Sequence, residues 1–270
     1  MTEMKTSQAL AAPVLFEITD GIARITLNRP EAGNAINMAM ARGLVDAAIR
    51  CETDRSIRCV VMTGVGRLFC AGGDVGDFAQ AGTNASALLS ELAGTLHMAV
   101  ARFARIDCPL LVLVNGPAAG AGFSLALAGD LVLCTPSAHF TAAYTAIGLT
   151  PDGGMSWLLP RIVGLRKAQD IILTNRRVAA NEAEASGIVT RVVDEGALTK
   201  QGELLAGQLA ASAVVAIGAT RRLLQASFGN GFETQLEAEA RSIAAAGSGA
   251  ESREGVAAFL ARRAPDFKDL

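Results

Sequence analysis

Two short turns rich in glycine and alanine most restrict how this chain can fold. They are residues 69–74 (FCAGGD) and 115–122 (NGPAAGAG), and each joins an apolar run to a helical pattern. Each therefore predicts a buried strand, a tight turn and a helix start at which backbone N–H groups stay free. If both turns face one pocket, two N–H donors point at one oxygen, the arrangement that stabilises an oxyanion. The turns thus favour carbonyl chemistry.

Strands and helices alternate along residues 14–195. Asp20-Gly21 predicts a hairpin turn between two alternating strands, and Asn37 predicts the start of a helix that runs to about Cys51. Further strands are predicted at 57–63, 110–114, 131–134 and 188–193, and helices at 85–106 and 119–128. This order indicates an α/β fold with a mostly parallel sheet that is covered on both faces.

The pattern changes near Glu195. Beyond it, helices are predicted at 197–211, 213–228, 232–245 and 254–263, and no further strand is indicated. We therefore divide the chain into a flexible leader at 1–13, a core at 14–195 and a helical C-terminal region at 196–270.

Composition argues against several classes of protein. Hydrophobic residues make up 51% of the chain and charged residues 19%, so a large core is expected. A net charge of −2 argues against nucleic-acid binding. No apolar run reaches the roughly 18 residues that a membrane span needs. The five cysteines have no paired spacing, which predicts free thiols and a cytoplasmic location.

Several well-known catalytic motifs are absent or incomplete. No Gly-Lys-Ser/Thr ends a phosphate-binding loop, and the GVG at 64–66 continues to Phe69 instead of a third glycine. Ser124 lies in a sequence close to a nucleophile elbow, but the only later histidine, His139, lacks a well-placed acid. Two histidines without clustered cysteines give a metal site little support. None of these three kinds of site is favoured.

Further motifs occur in an order that resembles one known family. They are ITLNRP at 25–30, NAIN at 34–37, GLTPDGG at 148–154, REG at 253–255, Phe259 and FKD at 267–269. With the two turns, they resemble the crotonase (enoyl-CoA hydratase/isomerase) superfamily over about 14–270, and most closely its branch of ring-1,2-epoxyphenylacetyl-CoA isomerases. The resemblance implies a crotonase fold, a spiral of ββα repeats with a helical C-terminal trimerisation region. It also implies a homotrimer or a hexamer that is a dimer of trimers.

An acyl-CoA thioester is the substrate that the resemblance implies, with coenzyme A as part of that substrate and no separate cofactor or metal. The thioester oxygen would accept hydrogen bonds from the backbone N–H groups of Ala71 and Ala121. Hydratases of the family use two glutamates, which would align with Ser124 and Tyr144, so both carboxylates are missing here. Asp152 remains, at a position where isomerases of the family have an aspartate that moves protons.

The same resemblance gives roles to other positions. The implied substrate-binding residues are Gly72, Gly73, Asp74, Gly120, Ser124, Tyr144 and Trp157. The implied CoA-binding residues are Arg29, Ala32 and Ala35, together with Phe259 and Lys268 of a neighbouring subunit. Alternatives remain open: Trp157 and Tyr144 as core filling, Lys268 as a solvated surface lysine, and Asp152 as the cap of a helix that starts at Gly153.

The missing carboxylates and the remaining aspartate together predict an isomerase with Asp152 as its single proton carrier. A hydratase that adds water to a 2-enoyl-CoA is the main alternative. A hydrolytic dehalogenase or thioesterase would use Asp152 as nucleophile and His97 as base, although a packing role is favoured for His97. A non-catalytic acyl-CoA binder is the alternative from another class.

Overall fold

The computed structural model describes residues 12–268 and residue 270, and the predicted leader lies almost wholly outside them. The strands are β1 (Val14–Thr19), β2 (Ile22–Leu27), β3 (Cys59–Gly64), β4 (Leu110–Val114), β5 (Ala118–Ala119), β6 (Leu131–Cys134), β7 (His139–Thr141), β8 (Val178–Ala179) and β9 (Arg191–Val192). The helices are α1 (Met38–Thr53), α2 (Val75–Ala81), α3 (Ala85–Arg105), α4 (Ala121–Leu127), α5 (Met155–Val163), α6 (Leu165–Thr174), α7 (Ala180–Ala185), α8 (Leu198–Ala210), α9 (Val214–Ser227), α10 (Phe232–Gly247) and α11 (Ala250–Ala261).

Six strands form the main sheet in the order β1-β2-β3-β4-β6-β9. β1 and β2 form an antiparallel hairpin around Asp20 and Gly21, both of which have the positive φ that the turn requires. All other neighbouring pairs in this sheet are parallel. A second sheet holds the short strands β5, β7 and β8. The expected α/β architecture with a mostly parallel sheet is confirmed.

Apolar side chains cover both faces of the main sheet. Val60 and Met62 of β3 belong to the larger core, together with residues of α1 and α3. Their neighbours Cys59 and Val61 point to the other face, where α8 closes a smaller core. A strand that is buried on both faces reads as a continuous apolar run, as LLVLV does in β4. The five cysteines are buried and unpaired, as predicted.

The predicted helix at 119–128 begins later, at Ala121, because the chain before it is extended. Ala119 donates its N–H to the Cys70 carbonyl at 2.9 Å, and Gly120 donates to the Thr141 carbonyl at 3.0 Å. Gly120 then adopts φ 51° and ψ −125°, a conformation that glycine reaches without a steric penalty. The residues just before α4 therefore pair with β7 in the second sheet instead of extending the helix.

The C-terminal region is helical, as predicted, and α8 packs directly on the main sheet. The strand expected at 188–193 shortens to β9, since Val189 donates its N–H to Ala183 at the end of α7. Within the described residues, no single helix is both long and apolar enough to cross a membrane, and the bent pair α8 and α9 meets that test only by length and composition.

Arg221 ties α9 to the rest of the fold, and its removal should destabilise the protein. The buried guanidinium donates to the Asp130 carboxylate at 2.8 Å, to the Phe103 carbonyl at 3.0 Å and to the Ile106 carbonyl. Removing one partner of a buried pair leaves its other partners unsatisfied. We expect Arg221→Ala to lower the free energy of unfolding by about 3–5 kcal/mol.

Urea-induced unfolding measures this loss, and Arg222→Ala is the matched control. Arg222 is half exposed and pairs with the exposed Asp107 carboxylate. An exposed pair contributes little, so the control should lose less than about 1 kcal/mol. Equal losses in the two variants would contradict the anchoring role of Arg221.

Candidate active site

Backbone hydrogen bonds hold the first glycine turn beside Ile36. The Ile36 N–H donates to the Gly72 carbonyl at 2.7 Å, and the Asp74 N–H donates to the Ile36 carbonyl at 3.0 Å. In this parallel pairing, Gly73 lies between the two bonds and directs its own N–H to the opposite side. That side is a cavity lined by Gly73, and within the described chain the Gly73 N–H makes no hydrogen bond.

The N–H of Ala71 has a different environment. It donates to the Gly33 carbonyl at 2.9 Å, so it is already satisfied within the fold. The expectation that the Ala71 N–H donates to a thioester oxygen is therefore wrong. Gly72, with φ 101°, turns the chain between the two positions, and the free N–H of this turn is that of Gly73.

The second turn presents a free donor at the start of α4. The first N–H groups of a helix have no partner inside it, and in the described part of the chain nothing accepts a hydrogen bond from Ala121. Ala121 lines the same cavity as Gly73. The two turns thus contribute one free N–H each.

The two turns are in direct backbone contact. A Cβ on Gly72 would lie 3.0 Å from the Ala119 carbonyl oxygen, and a Cβ on Gly122 would lie 2.4 Å from the Cys70 carbonyl oxygen. Any other residue at Gly122 would separate the turns, since this distance is far below van der Waals contact. Both turns therefore face one cavity.

Asn34 fixes the first turn from beneath, a role that the sequence motifs did not reveal. Asn34 is fully buried, and its backbone has a positive φ of 56°. The Oδ1 atom accepts the Arg29 N–H at 2.9 Å, and Nδ2 donates to the carbonyls of Val65, Leu68 and Phe69 at 2.9–3.1 Å. One side chain therefore joins the loop at 29–34 to the segment that leads into the turn.

The cavity has a volume of about 310 Å³ and a mostly apolar lining. The residues that line it are Ile36, Ala71, Gly72, Gly73, Val75, Phe78, Leu89, Leu92, Ala93, Leu96, Gly120, Ala121, Ala143, Tyr144, Ile147, Leu149, Thr150 and Asp152. Asp152 is the one carboxylate among them. The cavity thus brings Asp152 together with Ala71 and Ala121, the residues that the sequence singled out for catalysis.

Three side chains from different elements contact Asp152. Tyr144 donates its hydroxyl to Oδ1 of the carboxylate at 2.6 Å. Ser124 donates to the backbone carbonyl of Asp152 at 2.8 Å, and His97 accepts the N–H of the next residue, Gly153, at 3.0 Å. The His97 Nε2 atom also lies 3.7 Å from Oδ2. His97 therefore does more than pack against neighbours, and it holds the loop that carries the acid.

Asp152 is not the cap of the following helix. That helix, α5, has Gly154 as its N-cap, and no side chain bonds its first turn. The Asp152 side chain turns instead toward Tyr144. The capping alternative is thus wrong.

Tyr144 is buried, and its hydroxyl remains a neutral donor at ordinary pH. Burial raises the pKa of Tyr144, and the adjacent Asp152 carboxylate raises this pKa further. The Tyr144 side chain therefore both fills part of the core and lines the cavity.

Ser124 and Trp157 lie outside the cavity lining, contrary to the expectation that they contact substrate. Ser124 is fully buried behind Asp152. Trp157 is 43% exposed on the outer side of α5, where it packs edge-on against Phe228 at 5.6 Å and beneath the Arg161 guanidinium. The helix direction places Trp157 on the outside of the chain, away from the cavity.

The residues implied for CoA binding lie in two separate places. Arg29 pairs with Asp74 at 3.0 Å, and it also donates to the Ala35 carbonyl at 2.5 Å, which braces the first turn. Ala32 ends the short 3₁₀ turn Pro30–Ala32 in the same loop. Phe259 on α11 is 81% exposed, and Lys268 lies beyond that helix; neither lines the cavity of its own chain. Within the described residues, no group of three metal-ligating side chains occurs.

The chain is similar to known proteins over most of its length. A family model described as enoyl-CoA hydratase/isomerase matches residues 17–270. The chain is 38% identical to the 1,2-epoxyphenylacetyl-CoA isomerase of Escherichia coli (strain K12), over 94% of its length and 97% of the relative. It is 41% identical, with the same shares covered, to a Rhodobacter capsulatus protein named probable enoyl-CoA hydratase.

Two further comparisons widen this range of activities. The chain is 34% identical to the 4-chlorobenzoyl coenzyme A dehalogenase-2 of an Arthrobacter species, over 92% of its length and 91% of that relative. The solved structure of an enoyl-CoA hydratase from Polaromonas sp. JS666 superposes with a TM-score of 0.90 at 31% identity, covering 94% of this chain and 98% of that one.

Asn34→Asp should destabilise the fold because it replaces the donating amide with an oxygen that faces three carbonyls. We expect the free energy of unfolding to fall by about 3 kcal/mol. Urea-induced unfolding followed by circular dichroism measures the change. The matched control is Asn28→Asp, since Asn28 makes one surface hydrogen bond to Ala12. The control should stay within about 0.5 kcal/mol, and a similar loss in both variants would contradict the role of Asn34.

Proposed function

Because the chain belongs to the enoyl-CoA hydratase/isomerase family, we propose that it is an acyl-CoA isomerase with Asp152 as its proton shuttle. The proposed substrate is an enoyl-CoA, or a related ring or epoxide acyl-CoA. One observation carries the proposal: Asp152 is the single carboxylate among the described residues that line the cavity. A shift of a double bond needs one group that takes a proton and returns it.

The thioester oxygen of the substrate is proposed to lie between the N–H groups of Gly73 and Ala121. Both N–H groups are free, and both residues line the cavity. Negative charge gathers on this oxygen when a proton leaves the acyl group. A backbone donor aimed at such a charge typically contributes about 2.7–4 kcal/mol to transition-state stabilisation.

The proton transfer proceeds in two balanced steps. Asp152 takes a proton from a carbon beside the double bond, and the C–H electron pair moves through the conjugated system to the thioester oxygen. The protonated Asp152 then returns the proton to the carbon at the other end of that system, while the oxygen electrons restore the C=O bond. No atom is gained or lost, so the cycle needs no water and no separate cofactor.

Hydration of a 2-enoyl-CoA receives less support, although one relative is named a probable hydratase. Water addition benefits from a second group that positions the water. Ser124 and Tyr144 stand where the resemblance places the hydratase glutamates, and each hydroxyl has one proton. The Ser124 hydroxyl donates its proton to the Asp152 carbonyl at 2.8 Å, and the Tyr144 hydroxyl donates its proton to the Asp152 carboxylate at 2.6 Å. Both protons are therefore already engaged.

A hydrolytic reaction is the second candidate, because His97 lies 3.7 Å from the Asp152 carboxylate and one relative is a dehalogenase. A water-activating base needs a free nitrogen lone pair. The lone pair of His97 Nε2 is engaged by the Gly153 N–H at 3.0 Å. This engagement supports the isomerase over the hydrolase.

Assembly of subunits is part of the proposal. Large apolar side chains are exposed on the C-terminal helices of the single chain, namely Leu224, Phe232, Ile243, Phe259 and Leu260. Patches of this kind mark protein interfaces. We propose that they bury one another in a trimer or a dimer of trimers, with Phe259 and Lys268 reaching the CoA of a neighbouring subunit and Arg29, Ala32 and Ala35 lying along the CoA bound to their own subunit.

Asp152→Asn tests the proposed shuttle. The amide keeps the shape of the side chain but cannot accept the proton, so we expect turnover of a 3-enoyl-CoA to fall about 10²–10⁴-fold. Binding of a saturated acyl-CoA should persist, as isothermal titration calorimetry would show. Asp46→Asn, which changes an exposed carboxylate on α1, should keep wild-type turnover. Full turnover by Asp152→Asn would contradict the assignment.

The same assay separates the alternatives by product. Conversion of the 3-enoyl isomer without loss of the double bond indicates an isomerase. Hydration of a 2-enoyl-CoA indicates a hydratase, and release of free CoA or halide indicates a hydrolase. Binding without turnover of any thioester indicates a non-catalytic binder.

Ala121→Pro tests the donor at the second turn. Proline fits the first position of a helix and removes the N–H there, and Gly120 before it lacks the Cβ that would clash with the ring. We expect kcat to fall about 10²–10³-fold. Ala121→Gly keeps the N–H and is the control, with activity expected within a few-fold of wild type. Equal losses in the two variants would argue against a donor role.

A further inference from the structure

The two oxygens of the Asp152 carboxylate have different surroundings. Oδ1 accepts the Tyr144 hydroxyl at 2.6 Å, a length typical of a hydroxyl bonded to a carboxylate. Oδ2 lies 3.7 Å from His97 Nε2, beyond hydrogen-bond distance. Tyr144 and His97 are the titratable groups that face this carboxylate in the described part of the chain. Oδ1 therefore already accepts one hydrogen bond, whereas Oδ2 accepts none from the described residues.

The backbone that carries the carboxylate is held at both of its polar groups. Ser124 of α4 donates to the Asp152 carbonyl at 2.8 Å. His97 of α3 accepts the Gly153 N–H on Nε2, so this nitrogen bears no proton and donates nothing to Oδ2. The peptide between Asp152 and Gly153 is thus fixed by two helices, and the carboxylate cannot rotate without breaking its bond to Tyr144.

We infer that Tyr144 is a positioning residue that occupies Oδ1 and reserves Oδ2 as the oxygen that takes and returns the substrate proton. The inference rests on the proposed isomerase function. Ser124 and His97 support the same arrangement by fixing the peptide. Of the two hydroxyls at the positions of the hydratase glutamates, that of Tyr144 thus holds the Asp152 carboxylate and that of Ser124 holds the Asp152 backbone.

Tyr144 also balances the two half-reactions. A hydrogen bond to a charged carboxylate is stronger than one to a neutral acid. The Tyr144 hydroxyl therefore stabilises Asp152 more before the proton arrives than after it. This difference favours return of the proton to the substrate.

One test needs no substrate, because Tyr144 is the only tyrosine of the chain. Tyrosinate absorbance in an alkaline titration therefore reports on this hydroxyl alone, while circular dichroism verifies that the protein stays folded. We expect little ionisation at about pH 10, where an exposed tyrosine is half ionised. Asp152→Asn should ionise at lower pH than wild type, and Asp46→Asn should match wild type. An identical curve for Asp152→Asn and wild type would overturn the contact.

The second test follows isomerisation of a 3-enoyl-CoA by Tyr144→Phe, which keeps the ring and removes the hydroxyl. We expect kcat to fall about 10- to 100-fold with little change in KM, because the carboxylate loses its orientation. Ser124→Ala should lower kcat as well, and Ser186→Ala, which removes a hydroxyl bonded to the Glu182 carbonyl, should not.

The outcomes distinguish a failure of the positioning role from a failure of the proposed function. An inactive Asp152→Asn together with wild-type kcat in Tyr144→Phe overturns the positioning role and leaves the proposed function intact. A fully active Asp152→Asn overturns the proposed function, and the tyrosine titration then still decides whether the hydroxyl bonds the carboxylate.

Discussion

Backbone contact between the two glycine turns is the constraint on which the candidate site depends. Gly122 lies so close to the Cys70 carbonyl that a Cβ would approach it to 2.4 Å. This contact brings the free N–H groups of Gly73 and Ala121 to the same cavity. Rigid placement matters because a donor stabilises charge only if it does not have to reorient during the reaction. Asn34, buried beneath the first turn, supplies that rigidity.

A second constraint is the burial of polar groups around Asp152. A carboxylate in a mostly apolar cavity needs donors, and Tyr144 supplies one at 2.6 Å. Burial in turn keeps Tyr144 protonated, because burial and the adjacent charge both raise the pKa of its hydroxyl. Tyr144 therefore keeps the hydroxyl proton that this hydrogen bond requires. Ser124 and His97 complete the arrangement through the backbone.

Local signals predicted much of the fold. The Asp20-Gly21 turn, the Asn37 cap, which accepts the Met40 N–H at 3.0 Å, and the strand at 110–114 all appear as expected. Each signal acts within a few residues, through φ preference, a side-chain cap or a continuous apolar run. The start of α4 was predicted too early, because the extended conformation before it depends on pairing with β7, a partner distant in sequence.

The sequence by itself determined the α/β alternation, the family and the identity of the remaining acid, Asp152, because these depend on residue type and order. Only the tertiary structure decided which N–H of the first turn is free. Ala71 and Gly73 lie two residues apart in the same turn. The Gly33 carbonyl accepts the Ala71 N–H, whereas the pairing with Ile36 leaves the Gly73 N–H free. It likewise decided that Trp157 faces outward and that three side chains surround Asp152. Hydrogen bonds between distant segments have no local signature, so they become visible only when the folded chain brings those segments together.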